Sequence, residues 1–150
     1  MKKIIILLMI TIIIILTTLC SSFNNAKDQI SYTAYDEFIT KLENMDFTID
    51  SKDEETSILA GRRKWLTINK NDNITVYLYE SNSKMEKDAG YLSTDGFSYD
   101  NGKETAAIDW ISYPYFFKAE NMIVLYVGEN TEIIQALEEL LGPKFAGDAK

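Results

Sequence analysis

The hydrophobic residues of this chain follow two different patterns. Residues 4–16 form an almost unbroken apolar run, interrupted only by Thr11 and preceded by Lys2 and Lys3. A charged start followed by an apolar stretch of this length is typical of a secretory signal segment. Beyond residue 32, apolar residues recur with the periods of helices and strands, separated by turn-forming residues. The pattern predicts a signal peptide at residues 1–19 and a single folded domain at residues 32–150.

Three segments of the domain carry the spacing of an amphipathic helix. They are predicted at about residues 33–45, 83–93 and 131–141. The second begins with Ser83-Lys84-Met85-Glu86, which has the form of a capping box. The third ends at Gly142-Pro143, a helix stop signal.

The strands are predicted mainly as hairpins. A short strand at Phe47 and Ile49 precedes a charged loop at residues 51–56, and a hairpin follows with one face in the core. The remaining predicted strands are 58–68 with 74–80, then 97–99 with 105–112, then 115–118 with 122–127. Asn101-Gly102 is a strong hairpin signal, and we expect Pro114 to interrupt the ladder.

The segment MIVLYV at residues 122–127 is apolar on both faces, as in a central strand that is covered on each side. Because hairpins force antiparallel pairing, the order of elements predicts an α+β fold. We expect a single layer of antiparallel sheet built from hairpins, with about three helices packed on it.

The apolar run ends at Cys20, the only cysteine of the chain. Residues 17–20 resemble a bacterial lipobox, whose cysteine is lipidated and becomes the first residue of the mature protein. The position before that cysteine is usually Gly, Ala or Ser, whereas here it is Leu19. We predict lipidation of Cys20, with residues 20–31 as lipidated cysteine and flexible tether.

Two alternatives to lipidation stay open. Ser21 and Ser22 offer ordinary signal peptidase a weak site, which would give a free secreted protein. The 17 residues from Ile4 to Cys20 also meet the lower limit for crossing a bilayer, so the segment could be an uncut anchor. In all three cases the domain lies on the extracytoplasmic side. The expected location is the cell membrane, with a lipid anchor.

Charge and composition exclude several classes of function. After removal of residues 1–19 the chain has 13 basic and 23 acidic residues, a net charge of −10. Such a surface repels nucleic acid, so we predict no nucleic-acid partner. The chain has no histidine, and the domain has no cysteine. The usual general base, thiol nucleophile and soft-metal ligands are therefore absent, and we predict no cofactor and no metal site.

Acidic residues suggest two kinds of chemistry that do not need histidine. Asp95, Asp100, Glu104 and Asp109 supply oxygen ligands that could hold calcium, although they do not follow EF-hand spacing. Turns favour such residues for structural reasons alone. Asp95 with Asp109 or Glu104 could instead serve as the paired carboxylates of an envelope hydrolase.

Two clusters suggest binding surfaces. Arg62-Arg63-Lys64-Trp65 is the one basic cluster of the domain, and either grips an anionic partner or protects an edge strand from aggregation. The aromatic stretch at residues 110–117 either packs in the core or recognises a partner. As candidate contact residues we name Trp110, Tyr113, Tyr115 and Phe117.

Four motifs carry a family resemblance. MEKDAGYLSTDGFS, IDWISYPYFFK, IVLYVG and LGPKFAG occur in this order between residues 57 and 147. They resemble a group of small bacterial envelope proteins, mostly predicted lipoproteins, for which no activity is established. In that group the proline of the second motif is often followed by histidine, whereas Tyr115 follows Pro114 here. An acid-base or metal role at that position therefore does not apply to this chain.

These observations predict an extracytoplasmic, membrane-anchored lipoprotein without enzymatic activity. We expect its domain to act as a binding or accessory module for an envelope protein, peptide or glycan. The alternatives are the carboxylate hydrolase described above and a structural or inhibitory module that blocks a partner through a sheet edge.

Overall fold

The computed structural model describes residues 32–55 and 57–147. The helices are α1 (Thr33–Asn44), α2 (Asn82–Ala89) and α3 (Thr131–Leu141). The strands are β1 (Ile49–Glu54), β2 (Arg62–Ile68), β3 (Asp72–Leu78), β4 (Ser98–Asp100), β5 (Thr105–Ala107), β6 (Pro114–Ala119), β7 (Met122–Val127) and β8 (Ala146–Gly147). The predicted signal peptide, Cys20 and the tether lie outside the described residues.

The main sheet has six strands in the order β1-β2-β3-β7-β6-β8, and every pairing is antiparallel. Strands β4 and β5 form a separate two-stranded sheet. The α+β prediction is thus confirmed, with three helices and hairpin connections. The central position of β7, between β3 and β6, also agrees with its prediction from MIVLYV.

One face of the six-stranded sheet packs against α1 and α3. The apolar stripe of α1 contributes Phe38 and Leu42, and that of α3 contributes Ile133 and Leu137. These side chains pack on the sheet residues of the same face: Leu66, Ile68, Ile74, Val76, Leu78, Phe117, Val124 and Tyr126. We call this the first core.

The other face of the sheet is covered by α2 and the β4–β5 hairpin. Met85 and Ala89 of α2 and Tyr99 of β4 pack there. The sheet contributes the side chains that alternate with those of the first core, including Tyr77, Phe116, Ile123 and Leu125. We call this the second core.

The prediction that the β2–β3 hairpin buries one face was wrong. Residues 74–78 of β3 are all buried, and Tyr77 lies in the second core while Val76 lies in the first. The reason is that α2 and the β4–β5 hairpin cover the second face of the hairpin, and the local sequence does not show that other segments pack there. Strand β3 is therefore covered on both sides, like β7.

The charged segment after Ile49 was predicted as a loop, and this too was wrong. Residues 49–54 form the edge strand β1, paired along its whole length with β2. Its acids face cations across the ladder: Asp53 forms a salt bridge of 2.8 Å with Lys64. Strand β1 has no apolar alternation, and it is held in the sheet by backbone pairing with β2 and by charge pairs across the two strands.

Several element limits also differ from prediction. Helix α2 begins after Ser81, whose hydroxyl accepts a hydrogen bond from the Lys84 amide, so the predicted capping box at 83–86 is not the start. Strand β5 ends at Ala107 and not at residue 112. Pro114 is the first residue of β6, a position where its missing N–H costs the strand nothing.

Strand β8 was not predicted. It pairs Ala146 and Gly147 with β6. Gly147 has φ of +99°, and a Cβ there would collide with the Pro114 carbonyl oxygen. A short strand of this kind depends on close backbone approach that sequence pattern alone does not reveal. In the parts of the chain described here, no helix has the length and apolarity needed to span a membrane.

Two isoleucines provide a matched test of the core assignment. Ile123 of β7 is 0% exposed, whereas Ile111, in the connection before β6, is 100% exposed. We expect Ile123→Ala to lower the free energy of unfolding by about 2–5 kcal/mol, because it removes buried methyl groups and leaves a cavity. Ile111→Ala should change it by less than about 0.5 kcal/mol. Urea unfolding measures both, and similar effects of the two substitutions would contradict the fold.

Candidate functional site

The predicted aromatic contact surface is largely buried. Phe117 is 0% exposed in the first core, and Tyr115 is 8% exposed and stacks on Tyr126. The prediction was wrong for these two residues, since their side chains have no access to a partner. The aromatic side chains of β6 instead pack alternately into the two cores, one on each face of the sheet.

Trp110 and Tyr113 lie in the connection between β5 and β6. Trp110 is partly buried; its ring packs edge-on against Phe116 and its indole N–H donates to the Gly96 carbonyl at 2.8 Å. Tyr113 is exposed. The four predicted contact residues are thus divided between the core and the surface, and they do not form one recognition surface.

Two of the acidic residues predicted as calcium ligands or catalytic carboxylates, Asp95 and Asp100, stabilise turns. Asp95 accepts hydrogen bonds from the Ser93 hydroxyl and the Phe97 amide, and these bonds hold its pKa below the ordinary value. Asp100 accepts from the Gly102 amide. A general acid needs a raised pKa, so the environment of Asp95 is the opposite of what hydrolysis requires.

A cleft of about 1050 Å³ lies at the end of the sheet where β3 finishes. One wall comes from the end of β1 and the start of β2, a second from α2, and a third from the β4–β5 hairpin. The lining residues are Asp53, Glu54, Glu55, Ala60, Gly61, Arg62, Arg63, Leu78, Tyr79, Glu80, Lys84, Lys87, Asp88, Tyr91, Tyr99, Asn101 and Lys103.

A buried carboxylate holds the floor of this cleft together. Asp88 of α2 is 4% exposed and accepts three hydrogen bonds. Its Oδ2 accepts from the Tyr79 hydroxyl at 2.6 Å and the Ala60 amide at 2.7 Å, and its Oδ1 accepts from the Tyr99 hydroxyl at 2.7 Å. Donors from three separate segments therefore meet one charge, which is how a buried carboxylate is normally satisfied.

The spacing of α2 explains how Asp88 reaches this position. Lys84, Lys87 and Asp88 follow the i, i+3, i+4 spacing of one helical face and line the cleft, and Tyr91, two residues beyond the end of α2, lines it too. Met85, on an adjacent part of the helix surface, packs in the second core. The helix thus presents one stripe to the core and the neighbouring stripe to the cleft.

The two tyrosines that donate to Asp88 resist ionisation. Burial raises the pKa of Tyr99 to about 12, and the hydrogen bond to Asp88 acts in the same direction. Burial, followed by the Asp88 hydrogen bond, also raises the pKa of Tyr79 well above its ordinary value. Both hydroxyls therefore stay protonated donors at neutral pH, and the hydrogen-bonded floor is intact there.

The basic cluster at residues 62–65 contributes the β2 wall of the cleft. Strand β2 lies between β1 and β3, so the interpretation of this cluster as a protected edge strand was wrong. Arg62 donates to the Tyr32 hydroxyl at 2.7 Å, and the Arg63 guanidinium lies 5.2 Å from the centre of the Trp65 ring. Arg62 and Arg63 both line the cleft, because they stand where the strand begins.

Sequence analysis singled out the basic cluster but missed Asp88. The aspartate lies in a mostly polar helix, where an acid normally faces water. A usable signal was the spacing of Lys84, Lys87, Asp88 and Tyr91, which marks a second stripe beside the apolar one. Only the fold brings Tyr79, Tyr99 and Ala60 to that stripe.

Comparisons with models of known protein families, with curated proteins and with solved structures find no match to this chain. Among the residues that the structure describes, no three acidic, histidine or cysteine side chains are grouped so as to hold a metal ion.

Replacing Asp88 tests its role in the floor. Asp88→Ala leaves the two tyrosine hydroxyls and the Ala60 amide without their acceptor, so we expect the free energy of unfolding to fall by about 2–4 kcal/mol. Asp109→Ala, at an exposed position of the same residue type, should change it by less than about 0.5 kcal/mol. Urea unfolding followed by circular dichroism measures both, and a loss of equal size in the two variants would contradict the assignment.

The raised pKa of Tyr99, about 12, predicts a loss of stability in alkali. An unfolded tyrosine ionises near pH 10. The contribution of Tyr99 is therefore complete below about pH 10 and disappears as pH rises towards about 12, because only the unfolded chain releases the proton in that interval. Urea unfolding from about pH 8 to about pH 12 should show this fall, and Tyr99→Phe should show a smaller one. The same pH dependence in both proteins would refute the prediction.

Proposed function

We propose that this protein is an extracytoplasmic lipoprotein, anchored in the cell membrane through Cys20, whose α+β domain is a binding or accessory module of the cell envelope. The cleft beside Asp88 is its binding site. The single observation that carries the binding role is this cleft, which is concave, lined by charged and aromatic side chains from three walls, and held open by a satisfied buried carboxylate.

The membrane anchor is supported by the sequence. The apolar run at residues 4–16 ends just before Cys20, and the four motifs between residues 57 and 147 resemble those of envelope lipoproteins. A diacylated cysteine holds a soluble domain at a membrane stably, where one acyl chain would not. The net negative charge of the domain gives it no overall attraction to a surface of anionic head groups, so a covalent anchor supplies the attachment.

The position of the cleft fits such an anchor. Tyr32, the first described residue, contacts Arg62 at the cleft wall. Only residues 21–31 lie between Cys20 and Tyr32. Even fully extended, a segment of this length reaches no more than about 40 Å. With Cys20 lipidated, the cleft therefore operates close to the membrane surface.

Binding is favoured over hydrolysis by the state of the carboxylates. Both oxygens of Asp88 already accept hydrogen bonds, and Oδ1 of Asp95 accepts the two hydrogen bonds that stabilise a turn. Glu104 and Asp109 are exposed to water. Asp88 is thus occupied as an acceptor of structural hydrogen bonds, and Asp95, Glu104 and Asp109 lack the burial that a general acid needs.

An inhibitory module acting through a sheet edge is also less well supported. The edge strand β1 carries Asp50, Lys52, Asp53 and Glu54, and charged edges discourage the addition of another strand. The opposite edge is formed by β8, which has two residues. The cleft therefore offers the better recognition site.

Metabolic labelling tests the anchor. In intact cells producing the full chain, palmitate should label the wild-type protein and fail to label Cys20→Ala, because Cys20 is the only thiol of the sequence to which a diacylglyceryl group can be attached. Ser21→Ala, next to the cysteine, should keep the label. Unchanged labelling of Cys20→Ala, or an unlabelled wild-type protein, would refute lipidation.

A further inference from the structure

The cleft contains an unusual share of the positive charge of this acidic domain. In residues 32–55 and 57–147 there are 11 Lys and Arg residues against 21 Asp and Glu residues. Five of those cations but only five of those acids line the cleft. The described surface outside it therefore carries six cations and 16 acids. Positive charge is concentrated at one place on the molecule.

Most acids of the cleft are already neutralised, some of them by cations outside it. Glu54 forms a salt bridge of 2.9 Å with Lys52, and Asp53 forms one of 2.8 Å with Lys64. Neither lysine lines the cleft. Asp88 is satisfied by two hydroxyls and an amide. Glu55, like Asp88, forms no salt bridge within the described residues.

Three cations of the cleft have no carboxylate within salt-bridge distance in the described parts of the chain. They are Arg62, Lys87 and Lys103. All three are exposed, and each comes from a different wall: β2, α2 and the β4–β5 hairpin. The fold thus brings together charges that are up to 41 positions apart in the sequence. Their mutual repulsion is relieved when an anion lies between them.

We propose that the cleft binds a small anionic ligand that carries more than one phosphate or carboxylate group. Guanidinium and ammonium groups form charge-assisted hydrogen bonds with such oxyanions, and Arg62 adds the fork geometry that suits them. The partly buried ring of Tyr91, also in the lining, provides a flat apolar flank for the rest of the ligand. This inference rests on the proposed binding function and specifies its ligand class.

The acidic surroundings explain why several anionic groups are needed. The described surface outside the cleft repels anions, so a ligand with one charge gains too little from one cation to overcome that field. Three cations on three walls can be satisfied together only by a ligand with oxyanions pointing in several directions.

Lysine footprinting tests the inference with pyrophosphate as the probe. The full chain is placed in phosphatidylcholine nanodiscs, and lysine acetylation is read by mass spectrometry. Pyrophosphate should protect Lys87 and Lys103, which line the cleft, and leave Lys70 unprotected, since Lys70 lies in the β2–β3 turn at the opposite end of the sheet. Equal protection of all three lysines, or of none, would overturn the inference.

Two charge reversals provide the matched control. Lys87→Glu should raise the pyrophosphate concentration that half-protects Lys103 by roughly tenfold or more. Lys70→Glu changes the net charge by the same amount and should leave that concentration unchanged. Both positions are exposed, so both variants should unfold at nearly the wild-type urea concentration. If the two reversals weaken protection equally, the effect is one of net charge and the cleft site is refuted.

Further footprinting experiments identify the source of the anion. They also separate the proposed binding function from the proposed anionic class of the ligand. Protection of Lys87 by phosphatidylglycerol nanodiscs without pyrophosphate would assign the oxyanion to a lipid head group; its absence would assign it to a soluble ligand. Protection by uncharged chitotetraose and not by pyrophosphate would overturn the anionic class and leave the binding function standing. Palmitate labelling tests the anchor independently of all these outcomes.

Discussion

The Asp88 carboxylate is the interaction on which the candidate site depends. It is the only buried carboxylate among the described residues, and its donors come from the segment before β2, from the end of β3 and from β4. A charge removed from water needs all its hydrogen bonds, because each one lost carries the full desolvation cost. Asp88 therefore fixes how α2, the β4–β5 hairpin and the sheet meet, and the cleft is the space that this arrangement leaves open.

The second core makes this arrangement possible. If the sheet were covered on one face only, Tyr79 would face solvent and Asp88 would have no buried partner. Because α2 and the hairpin cover the face of β3 and β7 opposite to α1 and α3, the layer is wide enough to bury Tyr77, Ile123 and Leu125. This layer ends where β3 ends, and the side chains that line the cleft lie at that end of it.

Electrostatics distinguishes the cleft from the rest of the domain. Salt bridges such as that of Asp53 with Lys64 neutralise negative charge in the cleft. The charges of Arg62, Lys87 and Lys103 stay exposed there. In an acidic protein this gives one place where anions are attracted. The proposed lipid anchor would keep that place within reach of the membrane even though the net charge of the domain is negative.

The sequence by itself determined the elements with strong local patterns: α1 and α3 with their apolar stripes, and β7 with its continuous apolar run. It did not determine β1, whose charged sequence lacks the apolar alternation of a strand. Nor did it determine the burial of Tyr115 and Phe117. Those depend on which segments return to cover the sheet, and periodicity records only the local chain. The same reason hid Asp88 and the cleft, since their partners are distant in sequence and meet only when the second core has formed.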